Sequence, residues 1–205
     1  MAGEVRSKAE GMTKDGIRTA LSRRKKKVED PTGFMPAAVL LPLFEKGGDY
    51  HLVFTKRTET VNYHKGQFSF PGGRPHPDDK SLLDTALRES WEEIGLPPKD
   101  AEVLGELDDI ATYTTGFIIS PFVAMIPFPH KFTANPAEVD EIIEVPLHVL
   151  RDKRNFAEET LDVGGKPILQ YFYHYRDHVI YGATARIVKH FLEVIEPAAS
   201  IGRTS

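Results

Sequence analysis

A chain of 205 residues, 40% hydrophobic and 27% charged, is long enough to bury a full core and reads as one domain with a terminal arm. A formal net charge of −4 and a pI near 6.1 argue against general nucleic-acid binding. The lack of cysteine excludes disulfides, zinc–thiolate sites and thiol nucleophiles, and nothing requires an oxidising compartment.

In chain order, residues 1–30 are polar and carry the basic run Arg23-Arg24-Lys25-Lys26-Lys27. This stretch is expected to be a solvated arm, with residues 19–22 ending a short helix; contact with an anionic partner or a dimer mate is the lesser alternative, which leaves a homodimer open. No charged-then-apolar leader is visible and no apolar run approaches about eighteen residues, so a cytoplasmic protein without membrane attachment is expected. Short apolar runs bounded by Gly, Pro or charge follow at 37–43, 52–55, 103–107, 118–126, 142–145 and 168–173, and read as strands. Helices are expected at 81–94 and 183–195, with a shorter one near 147–152. Periodicity alone gives an α+β fold, divided into an arm (1–30), a domain (31–197) and a tail (198–205).

The helix at 81–94 has clear ends: Ser81 caps it with Asp84 three residues on, Gly95 stops it, and Pro97 and Pro98 follow. At roughly 100° per residue, Leu83, Leu87, Trp91 and Ile94 form a narrow stripe expected to face the core. Glu89, Glu92 and Glu93 lie on the opposite side, where their i, i+3, i+4 spacing makes like charges repel. Leu82 and Ala86 share that side, so the acidic face is expected to be partly covered. Hard oxygen ligands so arranged suit Mg²⁺ or Mn²⁺, and with Mg²⁺ a phosphate-bearing substrate. Just upstream, Gly72 and Gly73 allow backbone to approach a metal or phosphate closely, and Arg88 can orient a neighbouring carboxylate.

Gly73, a run of spacers, then Arg88-Glu89-Ser90-Trp91-Glu92-Glu93-Ile94-Gly95-Leu96 resembles the signature of the Nudix hydrolases, which cleave nucleoside diphosphates linked to another group. The acidic residue expected after the glycine is best matched by Asp79, and one extra residue precedes Arg88. That longer spacing is similar to the coenzyme A pyrophosphatase branch. The same branch is resembled by Thr55 and Arg57 at a strand end, a polar loop with Asn62, His64 and Lys65, and then Gly66-Gln67-Phe68-Ser69-Phe70-Pro71-Gly72-Gly73. One position departs, Asn62 standing where the branch usually has a second arginine. Residues 105–109, 114–121 and 180–187 also look like this branch, so the resemblance spans roughly residues 35–195.

The resemblance implies an α/β/α sandwich with a mixed β-sheet and metal-dependent hydrolysis of a diphosphate bond. Glu89 and Glu93 would be the main metal ligands, with Glu92 beside them and the Gly72 carbonyl completing the shell. Arg88 would orient these groups, and the general base would be Glu92, Glu93 or Glu138, with Asp108 and Asp109 as weaker candidates. Arg57, Lys56, His64 and Lys65 would supply cations to a coenzyme A phosphate and Gly73 would lie against the substrate, while Tyr63, Tyr113 and Phe117 are candidates for stacking on adenine. A different substrate, such as ADP-ribose or a dinucleotide, and a non-catalytic nucleotide-binding module are the alternatives.

Overall fold

Alternation of apolar residues along two central strands builds a sheet that is buried on both faces. The computed structural model describes residues 12–58, 67–112, 115–163 and 166–201. Helix α1 (Lys14–Ser22) is followed by the long strands β1 (Met35–Lys46) and β2 (Asp49–Arg57), which pair antiparallel across a turn at Gly47 and Gly48. Both glycines have left-handed φ, 64° and 82°, the conformation a tight hairpin demands. The short strands β3 (Phe68–Ser69) and β4 (Gly72–Gly73) lead into helix α2 (Leu82–Ile94), then β5 (Glu102–Glu106), β6 (Ile110–Thr112), β7 (Phe117–Met125) and β8 (Val139–Pro146). After helix α3 (Leu147–Arg151) the chain forms β9 (Phe156–Val163), β10 (Lys166–Tyr175), β11 (His178–Tyr181) and helix α4 (Gly182–Ile201).

Among the described residues β1 to β8 form one mixed sheet, ordered β3-β2-β1-β7-β5, with β4 attached to β1, β6 to β7 and β8 to β2. The β1–β7 pairing is parallel, running from Met35↔Phe117 to Leu43↔Met125, and the other pairings among the described residues are antiparallel. The expected mixed-sheet α+β fold is what the chain adopts. Leu41, Leu43, Leu52 and Phe54 point to one side, where α1, α4 and the β11-β10-β9 sheet close the larger core. Ala38, Leu40, Phe44 and Val53 point to the other, where α2 packs. In the β2–β8 ladder the register shifts between Lys56 and Arg57, which sets Arg57 opposite Val139.

Three expectations change. Residues 12–27 are not a wholly solvated arm: Met12, Ile17 and Leu21 are buried, and Arg24 and Lys26 of the basic run meet acidic partners, while Arg23, Lys25 and Lys27 stay exposed. Trp91 does not face the core but is 53% exposed. The side of α2 that packs on the sheet carries Ala86, Ser90, Glu93 and Ile94; the small Ala86 and Ser90 bring the helix close, and one of the glutamates is buried with them. Finally, β9 and β11 were not foreseen, because their outward faces are polar or half-exposed and lack a continuous apolar run. No helix among the described residues is long and apolar enough to cross a membrane.

Candidate active site

The site begins where glycine lets two backbones touch. β4 pairs with β1 through Ala38↔Gly73 and Val39↔Gly72, and a Cβ on Gly72 would stand 2.2 Å from the Ala38 carbonyl oxygen. A Cβ on Gly73 would stand 2.6 Å from the Glu89 carboxylate. Any side chain at Gly73 would therefore occupy the space where Glu89 sits, so the double glycine is what allows the strand and the acidic helix face to meet.

Helix α2 begins as expected, Ser81 accepting a hydrogen bond from the Asp84 amide, and ends on a left-handed Gly95 whose N–H reaches the Ser90 and Trp91 carbonyls. Asp79 packs against its first turns. It accepts bonds from the His76 amide at 2.8 Å, from Thr85 Oγ1 at 2.9 Å, and from both Nε and Nη2 of Arg88 at 3.0 Å. The Arg88 contact above all holds the Asp79 carboxyl well below the usual carboxylate range. Arg88 also reaches Glu92 and Glu89, each at 2.9 Å, and donates to the Arg74 carbonyl at 3.1 Å. Five contacts fix this guanidinium, and it ties the loop after the glycines to the helix.

The three glutamates fare differently. Glu92 is exposed over 49% of its side chain and turns toward Arg88. Glu89 is 16% exposed; burial raises its pKa, Arg88 opposes the rise, and Glu92 and Glu138 add to it. Glu93 has only 3% of its side chain exposed, accepts the Gly72 N–H at 3.4 Å, and has Arg57 Nη1 at 3.8 Å. Its carboxyl is pushed up to about 8, first by burial and then by Glu89 and Glu138, against the pull of Arg57.

Glu138 exerts its field on both buried glutamates because its loop is bonded to the helix end. The Thr133 amide donates to the Ile94 carbonyl at 3.0 Å and the Asn135 amide to the Glu93 carbonyl at 2.9 Å. The Thr58 amide then donates to the Glu138 carbonyl at 3.0 Å, and the Asn135 side chain approaches Glu138 Oε1 at 3.4 Å. The role of Asn135 in holding this loop had no signal in the sequence beyond its polarity.

Glu89, Glu93, Gly72 and Gly73 are thus brought together, with Glu138 facing them. Among the described residues no three acidic or imidazole groups already converge as a finished ion site. The donor set nevertheless fits a hard divalent cation: two sheltered carboxylates with raised pKa values lie beside a backbone segment held open by glycine, and with Asp79 and Glu92 they make four acids that share two arginines. Of the candidate substrate residues, Arg57 stands at the site beside Glu93, whereas Lys56 is drawn aside to Asp140 at 3.2 Å. His64 lies outside the described residues, as do Asn62, Tyr63, Lys65, Gly66 and Tyr113; Phe117 is half-buried on β7. Asp108 and Asp109 are engaged elsewhere. Asp108 pairs with Arg24 and His190, and Asp109 accepts from Ser120 at 2.7 Å and pairs with Lys26 at 2.9 Å, which speaks for a structural role rather than a basic one.

Residues 33–172 match the family model described as NUDIX domain. A protein of Photorhabdus laumondii called an uncharacterized Nudix hydrolase, NudL, is 37% identical over 160 residues, 78% of this chain and 84% of that protein. Its namesake in Yersinia pestis is 34% identical over 161 residues, 78% of this chain and 79% of that one. Among solved structures, a MutT/nudix family protein from Enterococcus faecalis aligns over 96% of this chain and 76% of its own, with a TM-score of 0.54 at 14% identity.

Proposed function

The chain belongs to the Nudix family and is a Nudix hydrolase, and on that premise we propose that it cleaves the diphosphate bond of coenzyme A or an acyl-coenzyme A, giving 3′,5′-ADP and the (acyl-)4′-phosphopantetheine. The observation that carries the hydrolytic part is the sheltered pair Glu89 and Glu93, both with raised pKa values, against the Gly72–Gly73 strand. The coenzyme A part is supported by the strand-end Thr55 and Arg57, the Gly66-to-Gly73 segment and the extra residue before Arg88.

Glu89 and Glu93 would hold Mg²⁺ or Mn²⁺, with Glu92 and the Gly72 carbonyl adjacent. Such an ion neutralises the diphosphate and lowers the pKa of water. The protein's own contribution is orientation and proton transfer. Arg88, fixed by Asp79, sets the direction of the Glu89 and Glu92 carboxylates. Glu138, on a loop bonded to the end of α2, would take the proton as a water oxygen attacks one phosphorus and the bond from that phosphorus to the bridging oxygen breaks, a reading supported by its electrostatic influence on Glu93. Glu92 and Glu93 are the alternative bases. Arg57, with His64, Lys65 and Lys56, would meet substrate phosphate, and Gly73 would lie against it. The proposed domain runs over 31–197, in a cytoplasmic setting and with no nucleic-acid or membrane partner.

The test is a metal-dependent assay across coenzyme A, ADP-ribose and NADH with product identification. Coenzyme A turned over fastest, with 3′,5′-ADP released, is the expected result. Turnover of coenzyme A no faster than the others moves the assignment to ADP-ribose or a dinucleotide, the reading that Asn62 keeps open by removing a cation. Nucleotide binding with no cleavage of any of them would leave a non-catalytic module.

A further inference from the structure

Two arginines serve the acidic site, and they are held in opposite ways. Arg88 makes five close contacts, all between 2.9 and 3.1 Å, to Asp79, Glu89, Glu92 and the Arg74 carbonyl. Arg57 stands 3.8 Å from Glu93, close enough to act as its counter-charge yet beyond hydrogen-bond length. Glu93 is the most buried of the three glutamates and has Glu89 and Glu138 around it. Its other oxygen accepts the long Gly72 N–H contact of 3.4 Å. Arg57 keeps 28% of its side chain exposed, and it sits where the β2–β8 register shifts, at the last residue of β2. The strand end therefore presents it to the site without locking its guanidinium.

Resting on the metal-dependent reading above, we propose that Arg57 is an exchangeable counter-ion: it offsets Glu93 while the carboxylates hold no divalent cation, and turns to the substrate diphosphate once they do. The physical reason is competition. A divalent ion bound by Glu93 repels a guanidinium a few Å away and removes the attraction that kept it there, while substrate brings new negative charge to the same opening. Arg88 cannot make this exchange, because leaving would strand buried Asp79. Arg57 is then a positioning residue before binding and a substrate contact after it, and it makes metal loading and substrate affinity work through one side chain.

The decisive measurement is Mn²⁺ binding to the full-length protein without substrate, by calorimetry or by the spin-resonance signal of free Mn²⁺, for wild type, Arg57→Gln and Arg57→Lys. Removing a positive charge next to a cation site makes the site more attractive to Mn²⁺, so Arg57→Gln should bind the ion roughly three- to tenfold more tightly while its KM for the diphosphate substrate rises. Arg57→Lys, which keeps the charge on a flexible stem, should bring both quantities back toward wild type. Unchanged or weaker Mn²⁺ binding by Arg57→Gln overturns the proposal, whatever happens to KM, since a pure substrate contact would leave metal binding alone and a structural role would weaken it. Absence of Mn²⁺ binding in wild type, or binding that Glu93→Gln does not alter, would instead sink the metal assignment itself.

Discussion

Two regions of this protein are dense in charge, and they balance it in opposite ways. Along the seam between the N-terminal segment and β5 with its following loop, Lys14 and Arg18 share Glu102, Arg24 pairs with Asp108, and Lys26 reaches both Glu106 and Asp109, so four bases meet these four acids. Around α2, Arg57 and Arg88 face Asp79, Glu89, Glu92, Glu93 and Glu138. The seam is complete as a piece of structure, whereas the helix face carries an excess of negative charge that is partly buried. Such an excess is costly to fold around, and it is explained when a cation arrives with the ligand.

The sharpest way to break this contrast is Glu93→Gln. Turnover should fall by about a thousandfold or more, while metal-free stability stays level or rises, because the uncharged amide replaces a carboxyl that burial already drives toward its protonated form. Unaltered turnover would remove Glu93 from the site. Next in size is Arg88→Met, which leaves Asp79 sheltered without its partner; urea unfolding should show a loss of about 3 kcal/mol. A loss under about 1 kcal/mol would mean that Arg88 is no anchor.

The pH dependence should differ in sign between the acids. Glu93 has its folded pKa near 8 against an ordinary value of 4.5, so between those values the folded chain keeps a proton that the unfolded chain has released. In chelator, stability should therefore fall as pH rises through that window, by a few degrees in Tm, and Glu93→Gln should flatten the slope. Asp79, depressed by Arg88, acts the other way: its contribution is present above the ordinary carboxylate range and is lost on acidification through it. The smallest effect belongs to the seam. Lys26→Ala should cost about 1 kcal/mol in denaturant unfolding and leave turnover unchanged. A change in turnover would show that the seam reaches the chemistry.

The strand cores, both long helices and the acidic helix with its caps could be read in the sequence because each rests on local periodicity or capping chemistry. Burial across α2 could not. Trp91 has the stronger apolar character and Ser90 the weaker, yet Ser90 is buried and Trp91 exposed, since a helix lying close against a sheet selects small residues at the contact. The fate of the basic run was equally hidden. Nothing near Arg24 or Lys26 announces that their partners lie about eighty residues later, on the far side of β4 and α2. The loop that carries Glu138 reads as polar, and its attachment to α2 is made by backbone groups that leave no mark on residue type.

That attachment has a consequence for how the site can vary. The amides of Thr133 and Asn135 and the carbonyls of Ile94 and Glu93 fix the separation between helix and loop, and main-chain groups are common to every residue except proline at a donor position. Apart from Asn135, whose side chain reaches Glu138 and the Ala137 amide, side chains along 133–137 can therefore be exchanged with little effect on the distance from Glu138 to the buried glutamates. Substrate preference is free to drift along this rim while the spacing that the chemistry needs is inherited intact.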